Sequence, residues 1–296
     1  MEHGDGRWLH RLGAEPLSAI EGTAVPLGLR RTGPRTAVGY VADRAGVTRH
    51  RLQIALGVLW LIDGALQAQP FMFTSGFATQ VIAPNGQGQP GFVAAPVHWA
   101  STVIAAHPVL WNVPFALLQL ALGVGLLFRR TAKLALAASI AWALGVWYLG
   151  EGLSGLASGQ ASLLSGAPGS ALLLAVLAAA AWPTHDGSRE APASWLPSVW
   201  AVVWMGGAVF QSLPQNQGTT IPSELLVIAE YLIGVGGLTR ATRAPAAAVG
   251  LVMALVFWVT TQDFGGAFTG QGTDPNTGPL LALMAITLFA PRVVRA

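Results

Sequence analysis

The chain has 296 residues, 53% of them hydrophobic and only 10% charged, with no cysteine and a formal net charge of +3. Soluble domains carry about 25% charged residues, so this composition excludes an ordinary soluble domain and predicts an all-α polytopic membrane protein. The missing cysteines exclude disulfides, Cys-ligated clusters and thiol relays.

Residues 1–50 form an arm rich in Gly, Pro and Arg, expected to be largely irregular and cytoplasmic. No apolar core follows its early charges, so it does not read as a signal peptide. Apolar runs then occupy about 52–69, 109–128, 134–150, 169–183, 195–213, 222–238, 245–262 and 277–291. A spanning helix needs roughly 20 apolar residues. Most runs qualify; the fourth and eighth are short.

The sequence reads twice. Trp147 recurs as Trp258, Gly123-Val124-Gly125 as Gly234-Val235-Gly236, and Gly159-Gln160 as Gly270-Gln271, all at an offset of 111. Val58, Trp60, Gln67 and Pro70 recur as Val202, Trp204, Gln211 and Pro214 at an offset of 144. The expected architecture is therefore eight transmembrane helices as two parallel tandem four-helix repeats, 51–184 and 195–296, joined by a cytoplasmic linker at 185–194. All 16 Lys and Arg residues fall on one side of this arrangement. The positive-inside rule then places both termini in the cytoplasm and the chain in the plasma (inner) membrane, its partner being the lipid bilayer. The basic balance shows no cluster with interleaved aromatics, so nucleic acid is not expected as a partner.

The halves differ in one place. The first outer loop, 71–108, is far longer than its counterpart around Gln215–Thr220. It offers an apolar stripe at Phe92, Val93, Pro96, Trp99 and Val103, which predicts a short interfacial helix serving as a cap or a lid.

Acidic residues are the exception in the apolar runs, and intramembrane acids are functional candidates by default. Asp63 lies in the first run and Glu230 in the sixth, while Glu151 and Asp263 stand at the outer ends of the third and seventh. These four are the candidate catalytic or proton-handling groups, and packing alone is the competing explanation. Asp63 corresponds to Gly207 and Glu230 to Gln119, so the acids are not duplicated. Gln67 and Gln211 are shared and suit hydrogen bonds between helices. The shared Trp60, Trp147, Trp204 and Trp258 either pack the core or form a flat wall for a planar cofactor such as a quinone. His98 and His107, with Met72 nearby, form a candidate metal site, for which copper suits imidazole and thioether ligands.

The first four-helix unit resembles the DoxX/DoxD-like integral membrane proteins. The resemblance rests on Gln67 to Pro70 ending the first helix, the long outer loop, Gly123 to Gly125 before Arg129-Arg130, and Gly150-Glu151-Gly152 ending the third helix. It covers about 50–183 and, more faintly, 195–292. It implies a four-helix unit and a link to quinone-coupled sulfur oxidation or membrane redox complexes. The chain departs in being a fused double unit without cysteine, which puts thiol-based chemistry out of reach. Three expectations stay open: a quinone-associated redox subunit with a membrane or periplasmic protein partner, a transporter or channel for a small cation such as a proton or metal ion, and a non-catalytic membrane scaffold or assembly subunit.

Overall fold

The computed structural model describes residues 47–183, 191–216 and 223–289. Most of the N-terminal arm and of the linker, part of the second far loop, and Arg189, Arg292 and Arg295 lie outside the described residues. Among the described residues the protein is all helical, with nine α-helices: α1 (Arg49–Gln67), α2 (Gly91–Ala106), α3 (Pro108–Leu127), α4 (Ala132–Leu149), α5 (Ser170–Ala180), α6 (Leu196–Gln211), α7 (Ser223–Leu238), α8 (Arg243–Thr260) and α9 (Thr277–Phe289). Eight coincide with the eight apolar runs, and α2 is the helix expected within the long loop. Three of them, α3, α4 and α8, are long and apolar enough to cross a membrane. Large apolar side chains face outward around the bundle, among them Leu110, Leu117, Val202, Leu232 and Val252. Such a girdle would drive association in water and is matched to a lipid solvent.

Local chemistry sets the helix ends. The Thr48 hydroxyl caps α1 by accepting from the Arg51 backbone N–H at 3.2 Å. Proline occupies the first turn of α3 and of α6, where its missing N–H costs nothing. Within each repeat the helices pack in the same order: α1 on α3 and α4 on α5, then α6 on α7 and α8 on α9. The small residues allow this closeness; a Cβ on Gly123 would sit 2.9 Å from the Gly57 carbonyl oxygen.

The two short runs prove to be the centre of the molecule. Helices α5 and α9 pack on each other across the repeat boundary and are buried along most of their length. Each is short because the chain before it descends into the bundle as irregular backbone. These segments begin with left-handed turns, Leu153 and Ser154 at φ 56° and 51° and Phe264 and Gly265 at φ 54° and 73°. Irregular backbone at such depth is tolerated where it is buried in protein or lines a cavity.

The repeats run in the same direction. Arg49, at the start of α1, donates to the backbone carbonyls of Trp182 and Ala191, just before α6. The first helices of both repeats therefore begin at one end, the basic end. At the opposite, far end each repeat holds the other: Gln69 Nε2 donates to the Gly272 carbonyl at 3.2 Å, and Asn216 Nδ2 to the Gly159 carbonyl at 2.9 Å.

The long loop is a compact cap at the far end of the first repeat. It folds as a 3₁₀ turn, a π-helical stretch at Phe77–Ile82, a second 3₁₀ turn and α2, around its own core of Met72, Phe77, Ile82, Val93, Val97 and Ile104. The buried stripe of α2 is Val93, Val97, Ala100 and Ile104. Phe92 and Trp99, expected to share the apolar face with Val93, instead lie off this buried stripe and are more than 60% exposed.

Candidate acidic cavity of the first repeat

Helix α1 carries Asp63 on the face turned toward α3 and α4. The backbone after α4 carries Glu151, and the turn before α9 carries Asp274. All three line one cavity of about 340 Å³. Its walls are aromatic, built from Trp60, Phe77, Trp99, Trp111, Phe115 and Trp142. Phe115 and Trp142 pack tilted with centroids 5.2 Å apart, which gives a continuous aromatic surface. A second, polar cavity of about 400 Å³ adjoins it at the far end and shares Asn85, Glu151, Ser170, Thr273 and Asp274 with it. These shared residues form a throat. No described residue lining either cavity is Lys, Arg or His.

The three acids are held differently. Glu151 Oε1 accepts from the Ser170 hydroxyl at 2.8 Å and the Ala171 backbone N–H at 3.0 Å, and Oε2 from the Ser154 hydroxyl at 3.1 Å. It thereby caps the N-terminus of α5, where a negative charge is favoured. Burial, then the nearby Asp274 charge, pushes its pKa from 4.5 up to about 7, against the lowering effect of these hydrogen bonds. Asp274 accepts from the Thr273 hydroxyl at 2.9 Å and from the Asn276 backbone N–H at 2.7 Å. Asp63 is 3% exposed, and its Oδ1 has no partner. Two neighbours in the same cavity are also unpartnered: Gln119 Oε1 and Trp142 Nε1. Buried polar groups are normally satisfied, so three unpartnered atoms on residues that line one cavity mark it as the candidate ligand site.

The cap supplies Phe77, Val81, Ile82 and Asn85 to the cavity and is pinned beside it. Asn85 Nδ2 donates to the Gly150 carbonyl at 2.7 Å, Gln89 Nε2 to the Gly152 carbonyl at 3.0 Å, and the Tyr148 hydroxyl to the Phe92 carbonyl at 2.6 Å.

Asp63 and Glu151 are thus brought together, whereas Glu230 and Asp263 are not part of this cavity. Glu230 is fully buried on α7, both carboxylate oxygens unpartnered, facing Gly207, where a Cβ would lie 3.2 Å from Oε2. Asp263 is exposed, and Gln262 takes the place equivalent to Glu151. Gln262 Oε1 accepts from the Gly278 backbone N–H at 3.2 Å, and its Nε2 donates to the Thr277 hydroxyl at 3.1 Å, capping α9.

Of the four shared tryptophans only Trp60 lines the cavity, while its Nε1 donates to the Ser139 hydroxyl at 2.7 Å. Trp147 and Trp258 are paired structural devices, donating to the carbonyls of Pro168 at 2.8 Å and Pro275 at 2.6 Å. Trp204 is fully buried against Trp200. The aromatic wall is therefore built from Trp60 with Trp99, Trp111 and Trp142, which are not shared between the repeats.

The expected metal ligands do not converge. His98 and His107 are exposed, His98 within α2 and His107 at its C-terminal cap, so about 12 Å of helix at 1.5 Å per residue lies between His98 and Ala106. Met72 is fully buried in the core of the cap. Among the described residues, no group of three or more His, Asp and Glu is placed to hold a metal ion.

Sequence reasoning missed Asp274, Gln119 and Trp142 as site residues. Asp274 read as a turn residue, yet it is an acid in a far-end loop that carries no cation to balance it. Compared with models of known protein families, with curated proteins and with solved structures, the chain matches none of them.

Proposed function

We propose that the chain is a multi-pass inner-membrane protein, with eight spans in two parallel repeats and both termini cytoplasmic, that takes a small cation into the first-repeat cavity from the outer side. The single observation that carries this reading is the pair of unpartnered acceptors, Asp63 Oδ1 and Gln119 Oε1, in a cavity whose described lining has three carboxylates and no Lys, Arg or His. Uncompensated carboxylates in an apolar site bind a proton or a cation. Exchange of one for the other gives the site its chemistry, with Glu151 at the throat poised to release a proton near neutral pH.

One feature favours a second reading. Trp142 Nε1 is an unpartnered donor, which suits a quinone carbonyl, and the resemblance to DoxX/DoxD-like proteins implies quinone chemistry. The oxidised quinone, however, offers no donor to Asp63 or Gln119; only its reduced quinol form does.

Four tryptophans line the cavity, so intrinsic emission reports its occupancy. Purified protein in mild detergent would be titrated with potassium, methylammonium, zinc and decylubiquinone, as wild type and as Asp63→Asn. A saturable response to a cation, weakened about tenfold or more in Asp63→Asn, a loss of about 1.4 kcal/mol, supports cation uptake. A response to decylubiquinone alone that survives Asp63→Asn moves the assignment to a redox subunit.

A further inference from the structure

We infer that the ligand is a primary or secondary organic ammonium ion bearing a compact apolar group. This rests on the cation reading and narrows it to a substrate class. An inorganic ion is a poor match. Calcium takes six to eight oxygen ligands and magnesium an octahedral set, and among the described residues no metal-binding group is assembled. Most of the wall is apolar instead, with six aromatic and nine aliphatic residues in its lining, and a bare ion gains little from that surface. A cation that carries its own apolar surface has no such penalty, because the faces of Trp and Phe attract it electrostatically and cover its hydrocarbon.

The hydrogen-bond balance sharpens the class. Asp63 Oδ1 and Gln119 Oε1 both accept and so call for N–H or O–H donors, an ammonium N–H bringing the matching charge as well, whereas the Trp142 Nε1 donor gains no partner from such an ion. A quaternary ammonium has no N–H and a tertiary one has one. Primary and secondary ammonium ions have two or more. Size agrees, because about 340 Å³ lies at the small end of ligand pockets, which run from about 300 to 1,000 Å³. The route is charged in the matching sense. A cation arriving through the polar cavity passes Glu151 from the first repeat and Asp274 from the second before it meets Asp63. Asp274 makes the site a property of the fused double unit.

The test is isothermal titration of the detergent-solubilised full chain with benzylammonium, tetramethylammonium, potassium and benzyl alcohol, with decylubiquinone followed by tryptophan emission. One-site binding of benzylammonium, about tenfold or more tighter than tetramethylammonium and absent for benzyl alcohol, is the expected result. Asp63→Asn should abolish it. Gln119→Glu should strengthen it, and that variant is expected to fold because the second repeat carries Glu230 at this position. Potassium or tetramethylammonium binding as tightly as benzylammonium overturns the ammonium assignment and leaves cation uptake standing. No cation binding to folded protein overturns both, whether or not decylubiquinone binds.

Discussion

Glu151 and Gln262 are the same residue position used twice, and the difference between them is one charge. Both side chains cap the last helix of their repeat at an equivalent hydroxyl and backbone N–H: Glu151 accepts from both, whereas Gln262 accepts from the N–H and donates to the hydroxyl. The second repeat thus shows that an amide satisfies the structural role, and the carboxylate in the first repeat is surplus to it. This has a consequence for pH. The folded carboxyl holds its proton up to about pH 7, whereas an ordinary one releases it near 4.5. Between those values the folded state binds more protons than the unfolded state, so the Glu151 contribution to stability falls as pH rises and levels off above pH 7. The charged group acting on it is Asp274 across the throat, which raises the pKa in the same direction as burial. Glu151→Gln should therefore match the wild type in melting temperature near pH 4.5, exceed it above pH 7, and show a shallower slope between. Circular dichroism melts across that range check the sign. A variant that loses stability at pH 8 would mean that the charge itself holds the cap. Glu151 stands out in the sequence as an acid at the end of an apolar run, but its capping role depends on Ser170 and Ala171, which a linear reading places 19 and 20 residues away.

At the scale of elements, the backbone entering each central helix is held by a tryptophan on the preceding helix. Trp147 and Trp258 donate to equivalent proline carbonyls. Phenylalanine at either position keeps most of the packing and removes the bond, so Trp147→Phe and Trp258→Phe should each cost about 0.5–1.5 kcal/mol in unfolding titrations. Gly169→Ala should be more damaging. Its φ is 110°, and an added Cβ would collide with the Glu151 carboxylate and the Ser154 hydroxyl, so loss of the Glu151 cap and a lowered melting temperature are expected. The eight apolar helices were legible because hydrophobic runs and basic turns are local properties of the chain. The cap was legible only as a length difference. Its exposed and buried faces were not, because Phe92 and Val93 are neighbours in sequence and diverge by 100° around a helix. Nor could the run lengths reveal that α5 and α9 are short because they sit at the centre.

For the molecule as a whole, duplication does not produce two copies of one site. The repeats share their scaffold and place polar side chains differently on it: Asp63 opposite Gln119 in one half, and Gly207 opposite Glu230 in the other. The first half encloses an aromatic cavity under its long cap, while the second lends Asp274 to it. That loan was invisible in the sequence, since a turn residue's contacts across a repeat boundary leave no periodic trace. The direction of entry follows from topology. If the basic turns face the cytoplasm, the cap, the throat and the three-acid cavity open on the other side. The absence of cysteine makes this directly measurable, because every introduced thiol is unique. Ser75→Cys lies on the exposed surface of the cap, and Ala241→Cys on the exposed turn between α7 and α8 at the basic end. A membrane-impermeant maleimide applied to intact cells should label Ser75→Cys at once and Ala241→Cys only after lysis. The opposite pattern would turn the cavity toward the cytoplasm, and an ammonium ligand would then be a cargo leaving the cell interior through the polar throat. Labelling of both positions in intact cells would place the two ends of the bundle on one side and remove the eight-span arrangement itself.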